Sequence, residues 1–114
     1  MEAATYHMRC RKGQTFSKSL TWKPDGTNVA DLTGYTGSFL IKKSPVSGST
    51  VLATLTVGSG LTVAATSPNI VVSVSGATTE NWTPGRYLYY LELVSGGGIV
   101  YPLLTGEFMV EEWQ

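Results

Sequence analysis

The sequence predicts an all-β domain of the sandwich type, and three observations carry that prediction. Apolar residues recur with period two through most of the 114-residue chain, the period of a strand with one buried face. β-Branched and aromatic residues, which suit a pleated and half-buried surface, fill those stretches. Thirteen glycines and five prolines punctuate them. A chain of this size fits a single domain, 1–114, and buries roughly two-thirds of the surface its unfolded form exposes, enough for one core without staples.

The elements follow in order. A first strand is expected near Thr5 to Arg11, and Lys12-Gly13-Gln14 turns it into a second that sets Phe16, Lys18, Leu20 and Trp22 on one face. A lysine in that apolar set points to an open end of the core. Lys23-Pro24-Asp25-Gly26 places proline where φ is preset and glycine where φ can be positive, which predicts a tight reversal. Tyr35, Gly37, Phe39 and Ile41 then alternate with Thr36, Ser38, Leu40 and Lys42 as a central strand, followed by a loop over 45–50. Val51 to Val57 makes the next strand, with Gly58-Ser59-Gly60 as its turn, and Leu61 to Ala64 and Ile70 to Val74 bracket Ser67-Pro68-Asn69 as a hairpin.

The only plausible helix is a turn or two near 77–82, ended by Pro84-Gly85, with Trp82 closing one end of the sandwich. Arg86 to Val94 is the strongest strand. Tyr87, Tyr89, Leu91 and Leu93 share one face and Leu88, Tyr90, Glu92 and Val94 the other, and two largely apolar faces predict a central position. Ser95-Gly96-Gly97-Gly98 is a hairpin loop. Ile99 to Val110 returns as a long last strand interrupted at Pro102 and Gly106, where a bulge or an edge is expected. The total is about 7–9 strands with at most one short helix.

No chemistry-bearing constellation stands out, and the chain reads as a non-enzyme. There is no G-x-S-x-G elbow, and Gly96-Gly97-Gly98 is not followed by the Lys-Ser/Thr of a phosphate-cradling loop. One cysteine, Cys10, excludes an internal disulfide, and with the single histidine, His7, it supplies too few ligands for a zinc site, so neither metal nor cofactor is expected. Cys10 reads as a small core residue and His7 as a surface strand residue. Glu92 and Glu107 read as outward strand charges rather than an acid–base pair. Charged residues make up 14% of the chain, where about 25% is ordinary, and the net charge is zero, which removes the electrostatic argument for nucleic acid or an anionic membrane.

The opening residues show no charged-then-apolar leader, and no apolar run approaches the roughly 18 residues of a membrane span, so synthesis in the cytoplasm without secretion is expected, leaving the sequon Asn81-Trp82-Thr83 unused.

Phe16 to Trp22 followed by Pro24-Asp25-Gly26, then Asp31-Leu32-Thr33-Gly34-Tyr35 leading into Phe39-Leu40-Ile41-Lys42-Lys43, form one recognisable series. Pro84-Gly85-Arg86-Tyr87-Leu88-Tyr89-Tyr90-Leu91-Glu92-Leu93 and Leu103-Leu104-Thr105-Gly106-Glu107-Phe108-Met109-Val110 continue it. Together these segments resemble small tailed-bacteriophage proteins related to the N-terminal domain of upper baseplate proteins. The resemblance implies an immunoglobulin-like antiparallel β-sandwich that acts as an attachment module, docking fibres or neighbouring virion proteins, with the virion as its location. A capsid decoration protein and a carbohydrate-binding module are the alternative readings, the latter through aromatics such as Tyr90 and Tyr101, since Trp22 and Trp82 are expected in the core.

Charge is divided along the chain. Residues 1–57 carry seven cations against three carboxylates and residues 58–114 one cation against five, a segregation of +4 and −4 that suits contact between copies in a symmetric assembly. Basic Arg9, Arg11 and Lys12 near one end, and acidic Glu111 and Glu112 beside an exposed Trp113 at the other, are therefore the candidate partner-binding residues.

Overall fold

The computed structural model describes residues 4–44 and 50–112. The protein is nearly all β. Its strands are β1 (Ala4–Thr5), β2 (Met8–Arg11), β3 (Phe16–Leu20), β4 (Thr36–Lys42), β5 (Val51–Val57), β6 (Gly60–Val63), β7 (Ile70–Val74), β8 (Gly85–Val94) and β9 (Val100–Glu111), and one helical turn, α1 (Gly76–Thr79), precedes β8. The loop expected over 45–50 lies, Thr50 apart, outside the described residues, as does Trp113.

Hydrogen bonding links the strands into one curled path, β1–β9–β8–β4–β5–β6–β7–β3, with β2 also on β9. The two halves of that path join through β5 and β6, which share only two residue pairs, Thr56 with Gly60 and Val57 with Leu61. The sheet nearly closes on itself. β2 and β3, adjacent in sequence, belong to opposite ends of the path: β2 pairs with β9 and β3 with β7.

The core forms where the alternation of β8 places it. Tyr87, Tyr89, Leu91 and Leu93 are buried, and β8 is central, with β4 on one side and β9 on the other. Phe39 sits opposite Leu91 and Ile41 opposite Tyr89, and the Phe39 and Tyr89 rings stack 5.1 Å apart. Phe108 on β9, beside Tyr87 in the same layer, is a hub of the core: the rings of Phe16 on β3 at 5.1 Å and Trp82 at 5.9 Å meet it edge to face, a favoured aromatic geometry. Trp82 thus closes one end of the core, as expected. The helix beneath it is a single turn, capped by Ser75, whose hydroxyl accepts the Thr78 N–H. Buried Thr79 ties α1 to the β2–β3 turn by donating to the Gln14 carbonyl at 2.7 Å and accepting the Gly13 N–H at 3.1 Å.

Four features depart from the sequence reading. The first strand is split at Tyr6-His7. Its pairing with β9 is parallel, as is the short β5–β6 contact, whereas the prediction was antiparallel throughout. From Leu104 onward the last strand is flanked by β8 on one side and β1 and β2 on the other and is no edge, whereas residues 100–103, with Pro102, pair with β8 alone. Trp22 lies beyond β3 and is half-buried, because Asn69 captures its backbone: the Asn69 side chain accepts from Trp22 N–H at 2.8 Å and donates to the carbonyls of Trp22 and Ala30. The irregularity expected at Pro102 is present. Leu91 faces Leu104 and Glu92 faces Pro102, leaving Leu103 as the extra residue next to a proline that has no N–H for the ladder.

Leu91 is 1% exposed at the centre of this packing, whereas Thr36 opens β4 at the surface. Leu91→Ala should cost about 2–5 kcal/mol in urea unfolding and Thr36→Ala less than about 0.5 kcal/mol. Equal costs would mean that the strand faces are reversed.

Candidate functional site

The near-closure of the sheet leaves a seam. β2 and β3 line the two sides of a groove of about 510 Å³, bounded by Tyr6 to Arg11 on one side, Gln14 to Lys18 on the other, and Glu111 of β9 beside β2. Its geometry follows from alternation. In β2, Met8 and Cys10 point into the core and Arg9 and Arg11 outward, and in β3 Phe16 points inward and Ser17 outward. Met8, Cys10 and Phe16 therefore make an apolar floor, and arginines and serine a polar rim.

Backbone polarity at the seam can be read from the ladder. Tyr6 N–H donates to the Thr105 carbonyl at 2.9 Å and Lys12 N–H to the Glu111 carbonyl at 2.8 Å, so even-numbered residues of this strand turn their peptide groups to β9. Because N–H and C=O alternate sides along a strand, those of Arg9 face the groove. At the turn end the seam narrows into the Thr79 contacts. At the other end Lys18 bridges it: its ammonium lies 4.7 Å from the centre of the Tyr6 ring and donates to the Tyr6 hydroxyl. The lysine in the apolar set thus sits at the mouth of the groove.

The break at Tyr6-His7 shapes the groove and has a local cause. In a regular parallel ladder the Tyr6 carbonyl would accept the Glu107 N–H. Instead it turns into the core and accepts the buried Tyr89 hydroxyl, while the His7 ring Nδ1 takes the Glu107 N–H at 3.0 Å. Gly106 permits this. A Cβ there would lie 2.3 Å from the Tyr6 oxygen, and its φ of +157° is one that side chains rarely adopt. The kink also carries the Tyr6 side chain, inward by alternation, out to 41% exposure over the seam.

The charged candidates are brought together within the chain. Parallel pairing lays the basic strand beside the acidic one, so that Arg9 lies 3.7 Å from Glu111 and Lys12 4.0 Å from Glu112. Both pairs are exposed, and such pairs contribute little to stability. Arg11 lines the groove. The segregation of +4 and −4 along the sequence is thereby partly met inside one molecule. Glu92 and Glu107 sit on neighbouring strands but out of register, Glu92 opposite Pro102 and Glu107 opposite Leu88, and Glu107 faces Arg86 at 3.3 Å. Among the described residues no group of three or more His, Cys, Asp or Glu side chains is placed to hold a metal ion, and no helix is long and apolar enough to cross a membrane. Tyr6, His7, Thr15 and Ser17 escaped the sequence reading, because nothing local tells that β2 and β3 diverge rather than pair.

Burial, and secondarily the nearby Tyr6, push the Tyr89 phenol well above its ordinary value. Its folded pKa exceeds the unfolded one, so the stability it contributes is present below about pH 10 and is lost as pH rises above that. Tyr89→Phe should cost roughly 1–3 kcal/mol at neutral pH, since it leaves the Tyr6 carbonyl without its donor, and should flatten the alkaline decline in denaturant midpoint. An unchanged alkaline limb would show that Tyr89 does not govern it.

No protein-family model matches the chain and no curated protein matches it.

Proposed function

We propose that the chain is a non-enzymatic attachment module of a tailed-phage virion, in the tail, baseplate or neck, docking neighbouring virion proteins or fibres as one of several symmetric copies. The observation that carries this reading is the open seam. Strand edges left unpaired invite pairing with another chain, and natural proteins cover or blunt them unless they are used. Here two such edges flank one groove with an apolar floor. The sequence segments that resemble baseplate proteins support the same role. So does the strand order, with β3 on β7 and β8 between β4 and β9, the pairing expected of the immunoglobulin-like arrangement that the resemblance implies.

Quantitative mass spectrometry of particles purified from a phage encoding this chain tests the proposal. Tens of copies or fewer per particle are expected, hundreds would assign it to capsid decoration, and absence from particles would overturn the virion role.

Glycan binding is a second reading, favoured by the half-buried cluster in which Tyr101 lies 5.3 Å from Trp22 and 6.3 Å from Tyr35. It predicts a shift in tryptophan fluorescence on adding glycans that Tyr101→Ala abolishes. No shift across a glycan panel would discard it.

A further inference from the structure

We infer that the groove between β2 and β3 takes up an extended segment of a partner protein, alternating apolar and acidic residues, as an added strand that closes the seam. The inference rests on the attachment reading above and names what is attached.

Four observations converge on that ligand. The Arg9 peptide group faces the groove, so the edge of β2 can form a ladder with an incoming backbone, and main-chain bonds supply affinity in strand addition. The floor of Met8, Cys10 and Phe16 calls for apolar side chains at every second position, since successive residues of a strand face opposite ways. Glu111, the carboxylate in the lining, is met by Arg9, whereas the Lys18 ammonium at the mouth meets the neutral Tyr6 hydroxyl, so a carboxylate on the entering strand suits it. Finally, β2 and β3 are four and five residues long, which sets the length of the added strand at roughly 13–17 Å.

The Lys18–Tyr6 bridge fits this use. It spans the mouth through an exposed contact, so an entering strand displaces it at small cost and meets the lysine ammonium with a carboxylate. The last strand of a second copy is a poor occupant. Its carboxylates already face cations of their own chain, Glu107 with Arg86 and Glu111 with Arg9, and the part of β9 that carries them is flanked by both β8 and β2.

The test uses the full chain with a donor of about eight alternating residues, roughly 26 Å when extended, fused ahead of its first residue through a flexible Gly/Ser linker. Tethering brings the donor to millimolar effective concentration, so even weak addition registers. Three donors are compared: alternating Val and Glu, alternating Val and Lys, and the Val–Glu donor interrupted by two prolines. Amide hydrogen exchange of Arg9 is read by NMR. The Val–Glu donor should slow it by about tenfold or more, the other two should leave it unchanged, and Lys18→Glu should weaken the Val–Glu effect. Equal protection by Val–Lys overturns the acidic class, protection by the proline-interrupted donor overturns strand pairing, and no protection by Val–Glu overturns the inference entirely. A chain found in particles whose groove rejects every donor leaves the attachment reading standing without this ligand. A chain absent from particles that still takes the Val–Glu donor does the reverse.

Discussion

The direction of one carbonyl, that of Tyr6, governs the seam. Turned into the core to meet the Tyr89 hydroxyl, it leaves the β9 ladder and splits the N-terminal strand into β1 and β2. Two other residues make this tolerable: Gly106, which offers the carbonyl a place no Cβ would leave, and His7, whose ring satisfies the Glu107 N–H that the carbonyl abandons. A buried donor or acceptor left unpaired costs more than a hydrogen bond ordinarily gains, so the three residues work as a set. Together they satisfy the break between β1 and β2, while the ladder from Met8 to Arg11 keeps β2 on β9.

The same arrangement couples the seam to the core. Tyr89 stacks on Phe39, which contacts Phe108, and Phe108 takes the edges of Phe16 on β3 and of Trp82 beside α1. Phe16 is at once the first residue of one groove wall and a member of the central aromatic cluster. At one end the walls meet in the turn, where Gln14 N–H donates to the Arg11 carbonyl and Thr79 ties the turn to α1, and at the other the Lys18–Tyr6 bridge crosses between them. The groove thus has packed aromatic rings at its base and an exposed contact across its mouth, which suits a surface that receives a strand and holds it.

Much of the fold was legible because its signals are local. The alternation of Tyr87, Tyr89, Leu91 and Leu93 fixed β8 and its buried face, the glycines at 58, 60 and 98 marked turns that need positive φ, and Lys18 in an apolar set announced an opening. What escaped reading depends on residues distant in sequence. Parallel pairing of β2 with β9 joins positions a hundred residues apart, and nothing in Arg9 or Glu111 alone says that they meet within one chain rather than between two. Trp22 looked like a core residue by alternation, and only the capture of its backbone by Asn69 explains why it stands half-buried beyond the strand.

A docking groove requires that the β2 edge be open in the isolated chain, and Arg9 reports on it most directly. Its N–H faces the groove, while that of its neighbour Cys10 belongs to the ladder on β9. Site-resolved amide hydrogen exchange of the unmodified protein should find Arg9 exchanging close to the rate of a surface amide and Cys10 protected by orders of magnitude more. If Arg9 is protected as strongly as Cys10, β2 and β3 pair in solution, the sheet is closed, and the groove is not a docking site.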